Sequence, residues 1–161
     1  MALSVLFLCV VACGWQPVYY QSNSDASIQT AAIDVMPIPD ESGRLLTQQL
    51  KDLLNPQNEL VEKKYVLTIS LDEQLDREQG ILGDNTATRA TMRITAKFQL
   101  KQDDKILLTD SSFISSSYNI LMLPYPTVTA ENTTRKRLID MLADKIAMRL
   151  VVYFKTVEKS K

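Results

Sequence analysis

The chain has no histidine, two cysteines and four glycines among its 161 residues. Without histidine it lacks the commonest general base and the commonest metal ligand. With so few glycines it offers no glycine-rich phosphate loop. Both cysteines, Cys9 and Cys13, fall at the N-terminus, so the rest of the chain has no thiol for a disulfide or a nucleophile. The net charge of −1 argues against nucleic acid as a partner, which usually demands a basic surface. The carboxylate pairs Asp72-Glu73 and Asp103-Asp104 have no histidine or nucleophile to work with and read as strand-end and turn residues. Ser111, Ser112, Ser115, Ser116 and Ser117 have no visible base. The composition leans away from an enzyme, and neither a cofactor nor a metal is expected.

Long hydrophobic runs are also scarce. The longest, Ala2 to Ala12, is eleven residues. That is well short of the roughly 20 needed to span a bilayer as a helix. It suits the apolar region of a signal peptide. The run ends in small or β-branched residues directly before Cys13, as the signal of a bacterial lipoprotein does. Residues 1–12 are therefore expected to be removed, leaving Cys13 to carry acyl chains such as palmitate. Each buried methylene adds roughly 0.8 kcal/mol of membrane affinity, so two or three chains anchor where one does so only marginally. The alternative is a buried first strand or helix with Cys13 as a core thiol. Residues 13–27, polar after Trp15, Tyr19 and Tyr20, read as a tether. Those rings either sit among lipid headgroups or pack on the edge of the domain.

Residues 28–154 read as one α+β domain in the order β-α-β-β-β-α, a mixed, largely antiparallel four-stranded sheet packed against two helices. Ile28 to Met36 predicts a short strand, ended by Pro37 and Pro39. Leu45, Leu46, Leu50, Leu53 and Leu54 recur at helical spacing after Asp40-Glu41-Ser42 and before Asn55-Pro56. Tyr65, Leu67, Ile69 and Leu71 alternate as a strand, with Asp72 to Gly80 either extending it or beginning a hairpin. In the clearest element, Ala90, Met92, Ile94, Ala96, Phe98 and Leu100 point one way, and Arg89, Thr91, Arg93, Thr95, Lys97 and Gln99 the other. A slip of one residue there would bury three cations. Gln102-Asp103-Asp104 turns into a fourth strand, Ile106 to Ser115. A helix from about Pro126 or Thr129 to Phe154 carries apolar residues beyond one stripe, so it should be covered on two sides. The sheet supplies one side, and another part of the chain or a partner the other. Residues 155–161 read as a polar tail.

Arg89, Arg93 and Lys97 share one strand face, along which successive side chains are spaced by roughly 6.6 to 7 Å. Such a ladder suits the phosphates or carboxylates of an anionic ligand, and Arg77 can join it from the preceding strand. The plainer alternative is a solvated face balanced by Asp72, Glu73, Asp76 and Glu78. Arg135-Lys136-Arg137, opening the charged part of the last helix, reads as a solvated face.

The element order, with Cys13-Gly14-Trp15-Gln16-Pro17-Val18-Tyr19 after the signal, resembles the LptE family of lipopolysaccharide-assembly lipoproteins, in its alphaproteobacterial branch. The resemblance runs on through Thr86-Ala87-Thr88-Arg89, Ser117-Tyr118-Asn119, Tyr125, Thr127-Val128-Thr129-Ala130-Glu131 and Leu142-Ala143-Asp144-Lys145-Ile146-Ala147-Met148-Arg149-Leu150. Two features depart from the pattern: no Lys or Arg precedes the apolar run, and Ile120 to Leu123 form an extra apolar loop. The resemblance implies an outer-membrane lipoprotein, held by acyl chains on Cys13. It would sit in the lumen of the LptD β-barrel, help it assemble and bind lipopolysaccharide. In the family, basic residues near the tip between the second and third strands are implicated in ligand binding. Here Arg77 and Arg89 flank that tip. The rival roles are those of other envelope lipoproteins, a pilotin or an accessory subunit of a lipid ABC-transport system.

Overall fold

In the computed structural model, the residues described are 25–79, 87–120 and 124–159. Cys13 with its preceding run, most of the tether, the turn after Gln79 and Leu121 to Leu123 lie outside them. The elements are α1 (Asp25–Ala31), β1 (Ile33–Val35), α2 (Asp40–Leu54), β2 (Tyr65–Gln79), β3 (Ala87–Gln102), β4 (Lys105–Asn119) and α3 (Pro124–Lys159). The strands form one sheet in the order β1-β2-β3-β4. β1 runs parallel to β2 across the α2 crossover, and the other neighbours are antiparallel. The fold is α+β with a mixed sheet, as the alternation and helical spacings indicate.

Several boundaries differ from the sequence reading, and one helix is added; β4 runs on to Asn119, four residues past the expected Ser115. Residues 28–31 belong to α1 rather than to a strand, leaving β1 only three residues. β-branched Ile28 and Thr30 mimic a strand, but Ala26 and Ala31 favour the helix. The ammonium of Lys63 donates to the carbonyl oxygen of Ala31 at 2.8 Å, satisfying the end of α1. The last helix starts at Pro124 and runs through the expected tail to Lys159. Prolines are tolerated in a first turn because their missing N–H would have no helical partner there. No glycine or proline stops the helix beyond Phe154, and the Thr156 hydroxyl returns to the carbonyl of Val152 at 2.8 Å.

β2 and β3 form a hairpin roughly 50 Å long, matched by α3 at about 54 Å. Every inward residue of β3 from Ala90 to Leu100 is buried, as are Leu67 and Ile69 of β2. Against them lies one broad face of α3, with Leu138, Leu142, Ile146, Leu150 and Phe154 in one row and Ile139, Ala143 and Ala147 in the next. The second cover of α3 is internal: α2 packs beside it and contributes Leu46, Leu50 and Leu54 to the same core. Met141 and Val152, which widen the stripe in the sequence, remain exposed. Among the described residues no helix is long and apolar enough to cross a membrane.

Gly43 sets how closely the chain before α2 can cross the first turn of that helix. A Cβ there would stand 2.7 Å from Ile38 Cγ2 and 2.8 Å from the Ile38 carbonyl oxygen. A backbone oxygen cannot swing aside as a side-chain tip can. Overpacking of this kind costs about 1–3 kcal/mol, against a gain of about 1 kcal/mol in helix propensity. Gly43→Ala is therefore expected to lower stability by up to about 2 kcal/mol, read as a lower urea midpoint at unchanged slope. A variant as stable as the parent would show that the crossing relaxes freely.

Candidate functional site

The outward face of the sheet is built by β3 and its register. Arg89 stands opposite Glu78 and Asn119, Arg93 opposite Gln74 and Ser115, and Lys97 opposite Ser70 and Ser111. Cross-strand partners share a face, so the three cations lie in one outward row. They occupy every second outward position, so their spacing along the strand is about 13 Å, twice the repeat of the face. Arg77 pairs with Ala90, a register position outside that row.

The register also decides how far the acidic residues balance the ladder. Glu73 is committed elsewhere: its Oε1 accepts from Arg135 Nε on α3 at 2.8 Å. Arg135 also donates to Glu131 at 2.8 Å and to Asn132 at 2.9 Å. Burial alone would disfavour the charged guanidinium. The bonds to Glu131 and Glu73 outweigh it, so the Arg135 pKa is raised. Glu131 accepts from the Tyr118 hydroxyl, and Glu73 from the Ser42 hydroxyl. This network joins α2, β2, β4 and α3 and uses the carboxylates structurally. Arg135 belongs to it, rather than to the solvated face expected from the run Arg135 to Arg137.

Asp72 accepts from the side-chain amide of Gln74 at 3.2 Å. Among the described residues neither Arg93 nor Lys97 forms an ion pair. The β4 side of the ladder has no acid in the outward row, which reads Thr109, Ser111, Phe113, Ser115, Ser117 and Asn119. Asp110 is held by Arg149 of α3, whose hydrogen bond keeps its carboxyl below the ordinary range. The face is thus cationic along β3, acidic in part along β2, and neutral and hydroxyl-rich along β4. It can hold anionic groups over the β3–β4 half.

Phe113 is the residue that sequence reading passes over. It lies on the outward face, 55% exposed, and Arg93 Cζ sits 5.4 Å from its ring centroid. The signal available in the sequence, alternation from the Asp103-Asp104 turn, points the wrong way. Counting from the Gln102–Lys105 pair sets Phe113 opposite buried Ile94. A bulge between Leu100 and Lys101 shifts it opposite Thr95 instead.

The sequence pattern that defines the LptE lipopolysaccharide-assembly family matches residues 30–150. The chain belongs to this family. Three solved structures have the LptE-like fold seen here. A Caulobacter crescentus chain described as a lipoprotein is 20% identical, with a TM-score of 0.66, covering 80% of this chain and 94% of its own. The minor lipoprotein of Acinetobacter baumannii is 19% identical, with a TM-score of 0.62 and coverages of 76% and 92%. Rare lipoprotein B of Shewanella oneidensis is 11% identical, with a TM-score of 0.62 and coverages of 78% and 99%. Among curated proteins none matches the chain. The LptE match takes in α2, all four strands and most of α3, so the cationic row of β3 lies wholly inside it.

Proposed function

We propose that this LptE-family chain is an outer-membrane lipoprotein, anchored on the periplasmic side by acyl chains on Cys13. It assembles with and plugs the LptD β-barrel, and it binds lipopolysaccharide in transit to the cell surface. The observation that carries this reading is the family match over residues 30–150. The outward row of Arg89, Arg93 and Lys97 supports the ligand part, because two of its three cations have no ion pair among the described residues and phosphates would supply one. The role is that of a binding and assembly protein, not an enzyme.

Partner capture tests it. The protein is tagged at its C-terminus, the outer membrane is solubilised in mild detergent, and the purified material is identified by mass spectrometry. A large β-barrel in stoichiometric amount is the expected result. A lone lipoprotein, or one that brings inner-membrane transport subunits, would move the assignment to an accessory subunit of another envelope system.

A further inference from the structure

Two cations from different elements converge on one exposed ring. Arg93 reaches Phe113 from β3, and Lys145 reaches it from α3, with Nζ also 5.4 Å from the ring centroid. Lys145 reaches it past β4, the last strand of the sheet among the described residues, and its ammonium donates to the Phe113 carbonyl oxygen at 3.2 Å. Neither cation has a carboxylate within ion-pair distance among the described residues. Arg137 and Arg149, on the same face of α3 at four-residue spacing from Met141 and Lys145, also reach β4, at Ser116 and Asp110. Positive charge therefore flanks β4 on both sides, with Phe113 where the two rows meet.

An exposed cation–ring contact is weaker than a charge-assisted hydrogen bond. The ring gathers the two cations without neutralising them. They repel one another, and an anion between them would remove that repulsion. The ring itself offers apolar surface, and Ser111 and Ser115 flank it in the outward row. The combination suits an anion that arrives attached to something apolar.

We infer that Arg93, Phe113 and Lys145 form a phosphate subsite wrapped around the β4 edge, built for a phosphate carried on a lipid, with the ring beneath the apolar part. It rests on the lipopolysaccharide-binding reading and extends it from the strand face to α3, bringing in a helix cation and an aromatic contact.

The test titrates the full lipoprotein, in detergent micelles, with fluorescent bisphosphorylated lipid A, and competes it with inorganic phosphate. Lys145→Gln and Phe113→Ala are each expected to weaken binding, the former about tenfold as one charge-assisted contact is lost. Lys145→Arg should restore binding to within about threefold, because the guanidinium keeps the charge. Both changed positions are exposed, and equal thermal midpoints would confirm folding. If both variants bind like the parent while a ladder variant (Arg89→Glu with Arg93→Glu) does not, the subsite is overturned and the ladder stands. Should no variant change affinity, both fall. Displacement of lipid A by equimolar inorganic phosphate would overturn the lipid-borne assignment.

Discussion

Replacing Arg89 and Arg93 together by glutamate is expected to weaken lipopolysaccharide binding about 100-fold without unfolding the domain. Each position would lose a charge-assisted contact to a phosphate or acidic sugar, and each such contact corresponds to about tenfold in affinity. The new carboxylates would also repel the same groups. Folding should survive because the row faces outward: Arg89 and Arg93 are exposed, whereas Ala90, Met92 and Ile94 between and beside them are buried. One local cost is foreseeable. Arg89 faces Glu78 across the strands, and like charges directly opposite destabilise a sheet by roughly 0.2–1 kcal/mol. Arg89→Gln with Arg93→Gln avoids that cost and should still lose much of the affinity. The check is a titration of each folded variant, verified by circular dichroism and thermal midpoint. Unchanged binding in a folded double-glutamate variant would sink the ladder hypothesis.

Phe98→Ala is expected to have the largest effect on stability, about 3–5 kcal/mol. Phe98 is 1% exposed and sits on β3, which has a neighbour on each side, opposite Ile69 and Asp110. Removing the ring there leaves a cavity that neither the sheet nor α3 can easily close. Against a usual total of about 5–15 kcal/mol, that is roughly a fifth or more of the stability. The midpoint of thermal unfolding should fall by roughly 10 °C or more. Phe113→Ala, on the neighbouring strand, should cost no more than about 0.5 kcal/mol, the range for surface positions. Urea denaturation of the two variants in parallel is the measurement. Equal losses would mean that Phe113 is packed as Phe98 is.

The two phenylalanines mark where sequence reading succeeds and where it stops. Phe98 lies in twelve residues of unbroken alternation, Arg89 to Leu100, so its side follows from its neighbours alone. Phe113 follows a bulge, and one inserted residue exchanges the two faces of everything beyond it. The row Leu107-Leu108 that contains the bulge carries no turn residue to announce it. The opening helix is not legible for a related reason: seven residues are too few for a period to emerge. Arg135 reads as a surface cation in the sequence because Glu73, the partner that ties it to the sheet, is distant along the chain. Phe113 and Lys145 are 32 residues apart, on a strand and a helix, and no local pattern joins them.

By itself the sequence determined the α+β class, the inward row of β3, the outward cations Arg89, Arg93 and Lys97, and the resemblance to LptE that the family match supports. These are properties of periodicity and order, which a chain carries along its length. Only the tertiary structure decided that α2 covers the second side of α3, that Glu73 is withdrawn from the ladder by Arg135, and that Phe113 faces outward between Arg93 and Lys145. Each of these depends on register or on contact between distant segments, where burial and electrostatics act through space rather than along the chain.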